Sequence, residues 1–109
     1  MSYNLPDGME VGVAVTYVDA DGNPATIDGQ VTWVSSNDQI ATVSSTGPQA
    51  ATIAAARGGT LGTAQITASA DADLGSGTRE LLTTFDVTII AGEAVAGTIT
   101  PTGAPTPIA

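Results

Sequence analysis

The sequence predicts an all-β fold, a β-sandwich of about seven antiparallel strands with an extended arm at each end. Three observations carry this. Thr, Val, Gly and Ala dominate the 109 residues, while large side chains are few: one Trp, one Phe, two Tyr and two Met. Apolar and polar residues alternate with period two in successive windows, and no window repeats at helical spacing. Clusters of Gly, Pro, Asp and Asn interrupt these windows about every eight to twelve residues, as strand-connecting turns do.

Residues 1–8 read as an irregular N-terminal arm. From Met9 the chain alternates cleanly, with Met9, Val11, Val13, Val15 and Tyr17 on one face of a half-buried strand. Asp19-Ala20-Asp21-Gly22-Asn23-Pro24 is a turn, because Asp-Gly suits a tight hairpin and Pro24 removes a ladder donor. Residues 25–28 form a short edge segment, and residues 30–35 a strand around the single tryptophan. After the polar turn Ser36-Asn37-Asp38-Gln39, a further strand covers residues 40–44. Residues 50–56 alternate weakly, with Ala51, Ile53 and Ala55 on one face. Residues 62–70 place Ala64, Ile66 and Ala68 inward. A glycine-rich loop follows, and residues 78–90 make the longest strand, with Leu81, Phe85, Val87 and Ile89 on one face. The domain organisation is thus an arm over 1–8, a sandwich over 9–91, and a Pro-rich extended arm over 92–109. That last arm holds half of the six prolines and cannot enter a central strand past Pro101.

The expected structural core is Trp33, Val31, Val43, Ile66, Phe85 and Val87. Trp33 is its expected centre, since an indole buries more apolar area than any other side chain present. A sugar-stacking role for Trp33 is the weaker reading, because it sits in an alternating strand beside Val31.

Two stretches carry a family resemblance. Val31-Thr32-Trp33-Val34-Ser35-Ser36-Asn37-Asp38-Gln39-Ile40-Ala41-Thr42-Val43, followed by Gly62-Thr63-Ala64-Gln65-Ile66-Thr67-Ala68, resembles the bacterial immunoglobulin-like domain of group 2. Ala70-Asp71-Ala72-Asp73-Leu74-Gly75-Ser76-Gly77-Thr78-Arg79-Glu80, with Val87-Thr88-Ile89-Ile90-Ala91-Gly92-Glu93-Ala94, resembles small single-domain immunoglobulin-like structural proteins of tailed bacteriophages. The resemblance implies an immunoglobulin-like sandwich without a disulfide. It also implies display on virions, as a capsid decoration or a tail appendage. No catalytic residue carries over.

The residues themselves exclude much chemistry. There is no histidine and no cysteine, so neither a Ser-His-Asp site nor a thiol nucleophile exists, and zinc lacks its preferred ligands. The glycine-rich loops lack the lysine and the helix that a phosphate cradle needs. No enzymatic activity and no cofactor are expected. Calcium is the one metal to weigh, at Asp19, Asp21, Asn23 and Asp28 or at Asp71 and Asp73. Asp and Asn are also ordinary turn formers, and that is the preferred reading. A net charge of −9, with Arg57 and Arg79 as the only cations, argues against nucleic acid and against an anionic membrane surface. The opening residues lack the basic and apolar regions of an export signal.

The functional expectation is a non-enzymatic virion protein, a capsid decoration protein of a tailed phage assembled in the host cytoplasm. Its partners would be a major capsid protein or another virion protein, with sister copies as a further choice. Val95, Ile99, Ile108, Arg57 and Arg79 are the candidate docking residues. The alternatives are a module that binds carbohydrate or host surface glycans, and a tail-associated domain.

Overall fold

The computed structural model describes residues 2–56, 58–75 and 77–108. Among them the regular structure is entirely β. The strands are β1 (Ser2–Pro6), β2 (Glu10–Ala14), β3 (Tyr17–Val18), β4 (Pro24–Ala25), β5 (Asp28–Ser35), β6 (Ala41–Gly47), β7 (Ala50–Ala55), β8 (Gly62–Asp71) and β9 (Glu80–Ile90). They form a four-stranded sheet ordered β1-β9-β8-β5, a three-stranded sheet ordered β2-β7-β6, and a two-stranded ladder of β3 with β4.

The larger core cluster draws Leu5, Ala64, Ile66, Val87 and Ile89 from the first sheet and Ala41, Ile53 and Ala55 from the second. The two sheets therefore bury their apolar faces against each other, in a sandwich-like arrangement. A second cluster, Val15, Tyr17, Val31, Ala68 and Ala70, continues the core towards β3 and β4. Trp33 packs against both clusters. The alternation expected of β7 and β8 is observed: Ala51, Ile53, Ala55, Ala64, Ile66 and Ala68 are all buried.

The first departure from expectation lies at the N-terminus. Ser2–Pro6 is not an irregular arm but a strand, and it pairs in parallel with β9, from Ser2 opposite Asp86 to Pro6 opposite Ile90. Leu5 is 3% exposed and belongs to the core. Pairing stabilises this segment because Tyr3 and Leu5 share the face of their partners Val87 and Ile89.

The second departure concerns β2. The expected single strand from Met9 to Asp19 breaks after Ala14. Gln49, in the β6–β7 turn, accepts the Val15 N–H through its carbonyl and donates its side-chain amide to the Val15 carbonyl at 2.9 Å. These bonds satisfy the backbone where it leaves the sheet. Val15 and Tyr17 stay buried, whereas Met9 is exposed.

The third concerns the core. Val31, Ile66 and Val87 are buried as expected, and Trp33 and Val43 are partly buried. Phe85 is not a core residue: it is 39% exposed, and Leu81 on the same face is exposed as well. Their parity is that of Val87 and Ile89, but β1 flanks only residues 86–90 of β9. The first half of β9 runs beyond that cover.

The β5–β6 connection is closed by local hydrogen bonds. The Asn37 carbonyl accepts the N–H groups of Ile40 and Ala41, its side-chain oxygen accepts the N–H of Gln39, and the Gln39 carbonyl accepts the N–H of Thr60. Gly59 packs against that same carbonyl, and a Cβ built there would overlap the Gln39 oxygen. Gly59→Ala is therefore expected to destabilise the protein by about 1–3 kcal/mol, the usual cost of forcing an atom into filled space. Urea denaturation measures this, and an unchanged midpoint would show that the turn shifts freely.

Candidate docking groove and terminal arm

The two long edges of the sandwich differ. On the β5–β6 side the sheets are tied together: the Ser35 hydroxyl donates to the Ala41 carbonyl at 2.8 Å, and the Val31 N–H to the Pro48 carbonyl at 3.0 Å. On the opposite side β2 pairs only with β7, and residues 80–84 of β9 pair only with β8 among the described residues. Two strand edges are left open next to each other.

A groove of about 310 Å³ lies between them. Val13, Ala14 and Val15 form one wall, and Thr83, Thr84 and Phe85 the other. Ile53, Ile66, Ala68 and Trp33 make the floor. Register explains the shape. Trp33 stands opposite Ala68, and Ala68 opposite Thr83, so small side chains separate the indole from the β9 edge. The Tyr3 ring lies 6.1 Å from that of Phe85, centroid to centroid, at 37°. This aromatic pair forms an exposed lip to the groove.

Two polar atoms beside this region are buried without a hydrogen-bond partner among the described residues: the Trp33 Nε1–H and the Tyr17 hydroxyl. Burial raises the Tyr17 pKa above the usual phenol value. Thr83 offsets this in part by its proximity, but not in a geometry that satisfies the hydroxyl.

Beyond Ile90 the chain is extended and unpaired through residue 108. Val95, Ile99 and Ile108 are 98%, 99% and 100% exposed. At about 3.3 Å per residue, this arm can span roughly 60 Å. It accounts for the elongated dimensions of the molecule, 83 × 26 × 18 Å.

The remaining candidates lie elsewhere. Arg79 sits by the 71–79 loop, where its backbone N–H donates to Asp71 Oδ1 at 3.0 Å, so it is not adjacent to the arm's apolar residues in sequence or pairing. Arg57 lies outside the described residues. Asp19 Oδ1 accepts the N–H groups of Asp21 and Asn23, and Asp19 Oδ2 accepts the Asn23 side-chain amide. Asp71 Oδ1 accepts those of Asp73 and Arg79. These carboxylates hold their own loops closed, and no three Asp or Glu side chains converge among the described residues. Reading single residues also missed Tyr3, Val13, Val15 and Thr83. The face parity of Val13, Val15 and Thr83 was visible, but not the missing neighbour that exposes them.

The hydrogen bonds have a consequence for pH. The Asn23 N–H, then its side-chain amide and the Asp21 N–H, hold the Asp19 carboxyl below its ordinary value. The Arg79 and Asp73 N–H groups do the same for Asp71. A carboxylate with a depressed folded pKa contributes stability above its unfolded value of about 3.9 and loses it as pH falls through the folded value. Asp19→Ala is thus expected to lower Tm at pH 7, with the gap to the wild-type chain closing below about pH 4. Thermal melts across that range measure it, and a gap independent of pH would remove the ionised carboxylate from the explanation. Comparison of the chain with protein-family models, with curated proteins and with solved structures found no match.

Proposed function

We propose that this chain is a non-enzymatic virion structural protein, a capsid decoration protein of a tailed phage whose extended arm docks on the shell. The observation that carries the reading is the arm: three apolar side chains held almost wholly in water on an extended segment, beside a body whose sequence holds no histidine, cysteine or lysine. Free apolar anchors on an extended strand are the usual means by which one protein lies along another. In many symmetric copies such weak contacts sum to firm attachment.

The immunoglobulin-like topology belongs to this proposal. Lettering the seven longer strands A to G in chain order puts B, E and D in one sheet and A, G, F and C in the other. An immunoglobulin constant-type sandwich has the same pairs B-E-D and C-F-G. The parallel β1–β9 pair is strand A lying on the G edge.

A second reading rests on the exposed Tyr3–Phe85 pair. Aromatic faces at a groove lip suit sugar stacking, as in a module that binds host surface glycans.

The test is location and occupancy. Particles purified from a source lysate are expected to carry the protein on their heads, seen by antibody labelling under the electron microscope. A chain lacking residues 97–109 should show markedly reduced occupancy. Label confined to tails would replace shell docking with a tail role. Absence from particles, together with binding on a glycan array, would favour the second reading.

A further inference from the structure

Beyond attachment to a shell, we propose that the groove between β2 and β9 receives the C-terminal arm of a second copy of this chain. Residues 94–99 of the donor would add as a strand beside residues 80–84 of the recipient. Four observations lead there.

The edge is unpaired among the described residues, and it continues the line that β1 occupies beside residues 86–90. A strand added there completes a row that β1 leaves unfinished, with main-chain hydrogen bonds as the attraction. The arm has a suitable pattern, because Val95, Gly97 and Ile99 share one face of an extended segment. That face carries two apolar side chains now wholly in water. The groove offers a mostly apolar lining, and beside it a buried indole N–H without an acceptor among the described residues.

Charge selects the arm over the rest of a neighbouring copy. The chain carries −9 overall, yet nothing after Glu93 is charged. Two bodies repel, while a neutral arm can bridge them.

The arm does not occupy its own groove, since Val95 and Ile99 stand 98% and 99% exposed, and reach keeps residues 94–99 out of it. Returning from Ile90 to the level of Thr84 takes roughly 20 Å at about 3.3 Å per residue, but the five residues from Ile90 to Val95 span at most about 18 Å. The direct path is also filled by β1. For residues 94–99 donor and recipient are therefore different copies, and each copy is both. Such a head-to-tail contact builds rings or open chains.

Sedimentation velocity of the full chain at rising concentration tests this. Reversible association is expected, strengthened by salt as the bodies' repulsion is screened. The double variant Val95→Asp with Ile99→Asp should weaken association by about tenfold or more, and since both positions are fully exposed the core is untouched. The chain has no cysteine, so a copy with Leu82→Cys mixed with a copy carrying Ala96→Cys reports contact directly. Leu82 points away from the groove on β9, as Ala96 would on the docked arm. A mixed disulfide is expected for this pair and not when Val34→Cys, exposed on β5, replaces Leu82→Cys. A chain that stays monomeric at all concentrations overturns the proposal. So does association that salt weakens, that survives the arm variant, or that cross-links equally at Val34. A monomeric chain whose Trp33 fluorescence responds to a panel of defined sugars assigns the groove to glycan instead.

Discussion

The packing of Trp33 against both core clusters joins the two parts of the interior between the sheets. Trp33 stands opposite Ala68 on β8 and packs against both core clusters. An indole needs space, and alanine at 68 leaves it. The same economy recurs across the interior, where Ala41, Ala51, Ala55, Ala64 and Ala70 are all buried. The interior thus combines two large rings, buried Tyr17 and partly buried Trp33, with many methyl groups. It stabilises the fold through apolar area removed from water, with no disulfide to assist.

The chain's crossings and its strand lengths decide which side of the sandwich is open. On the β5–β6 side the chain passes directly from one sheet to the other, and the Ser35 hydroxyl ties the sheets at the crossing. On the β2–β9 side it crosses only at the far end, where the Asp7 N–H meets the Ile90 carbonyl. Between that crossing and Glu80 the cover is β1 alone, and β1 is five residues long against eleven for β9. The mismatch in length leaves Phe85 and Leu81 half in water, though their alternation is that of core residues. The groove is thus a direct result of one short strand beside one long one.

The sequence made the body of the fold legible wherever the signal was local. Alternation in β7, β8 and β9 placed the correct face inward, and turn residues marked the loops around Asn37 and Asp71. The all-β character followed from those signals alone. What stayed hidden depended on partners distant in the chain. β1 is only Ser-Tyr-Asn-Leu-Pro, ends in proline, and finds its partner more than eighty residues later, so nothing nearby marks it as a strand. Phe85 shows the complementary error: parity fixes which face a side chain takes, but not whether anything covers it. The candidate site was legible in part for the same reason. The arm is visible as prolines and isolated apolar residues, whereas a groove is the absence of a neighbour and leaves no local mark.

Free strand edges invite uncontrolled pairing, and all-β chains restrain it with charge. Here Glu10 opens β2 and Glu80 opens β9, within a surface that carries no lysine. Yet Leu81-Leu82-Thr83-Thr84 contains neither a charge nor a proline, and no bulge interrupts its pairing with β8. An edge that only needed protection would carry such a guard along its length. The guard placed at its beginning, together with repulsion between like-charged bodies, keeps whole copies apart while leaving the middle of the edge able to pair. A partner suited to it is extended, uncharged and thin enough to enter between two acidic bodies. The segment of this chain that meets all three conditions is its own C-terminal arm.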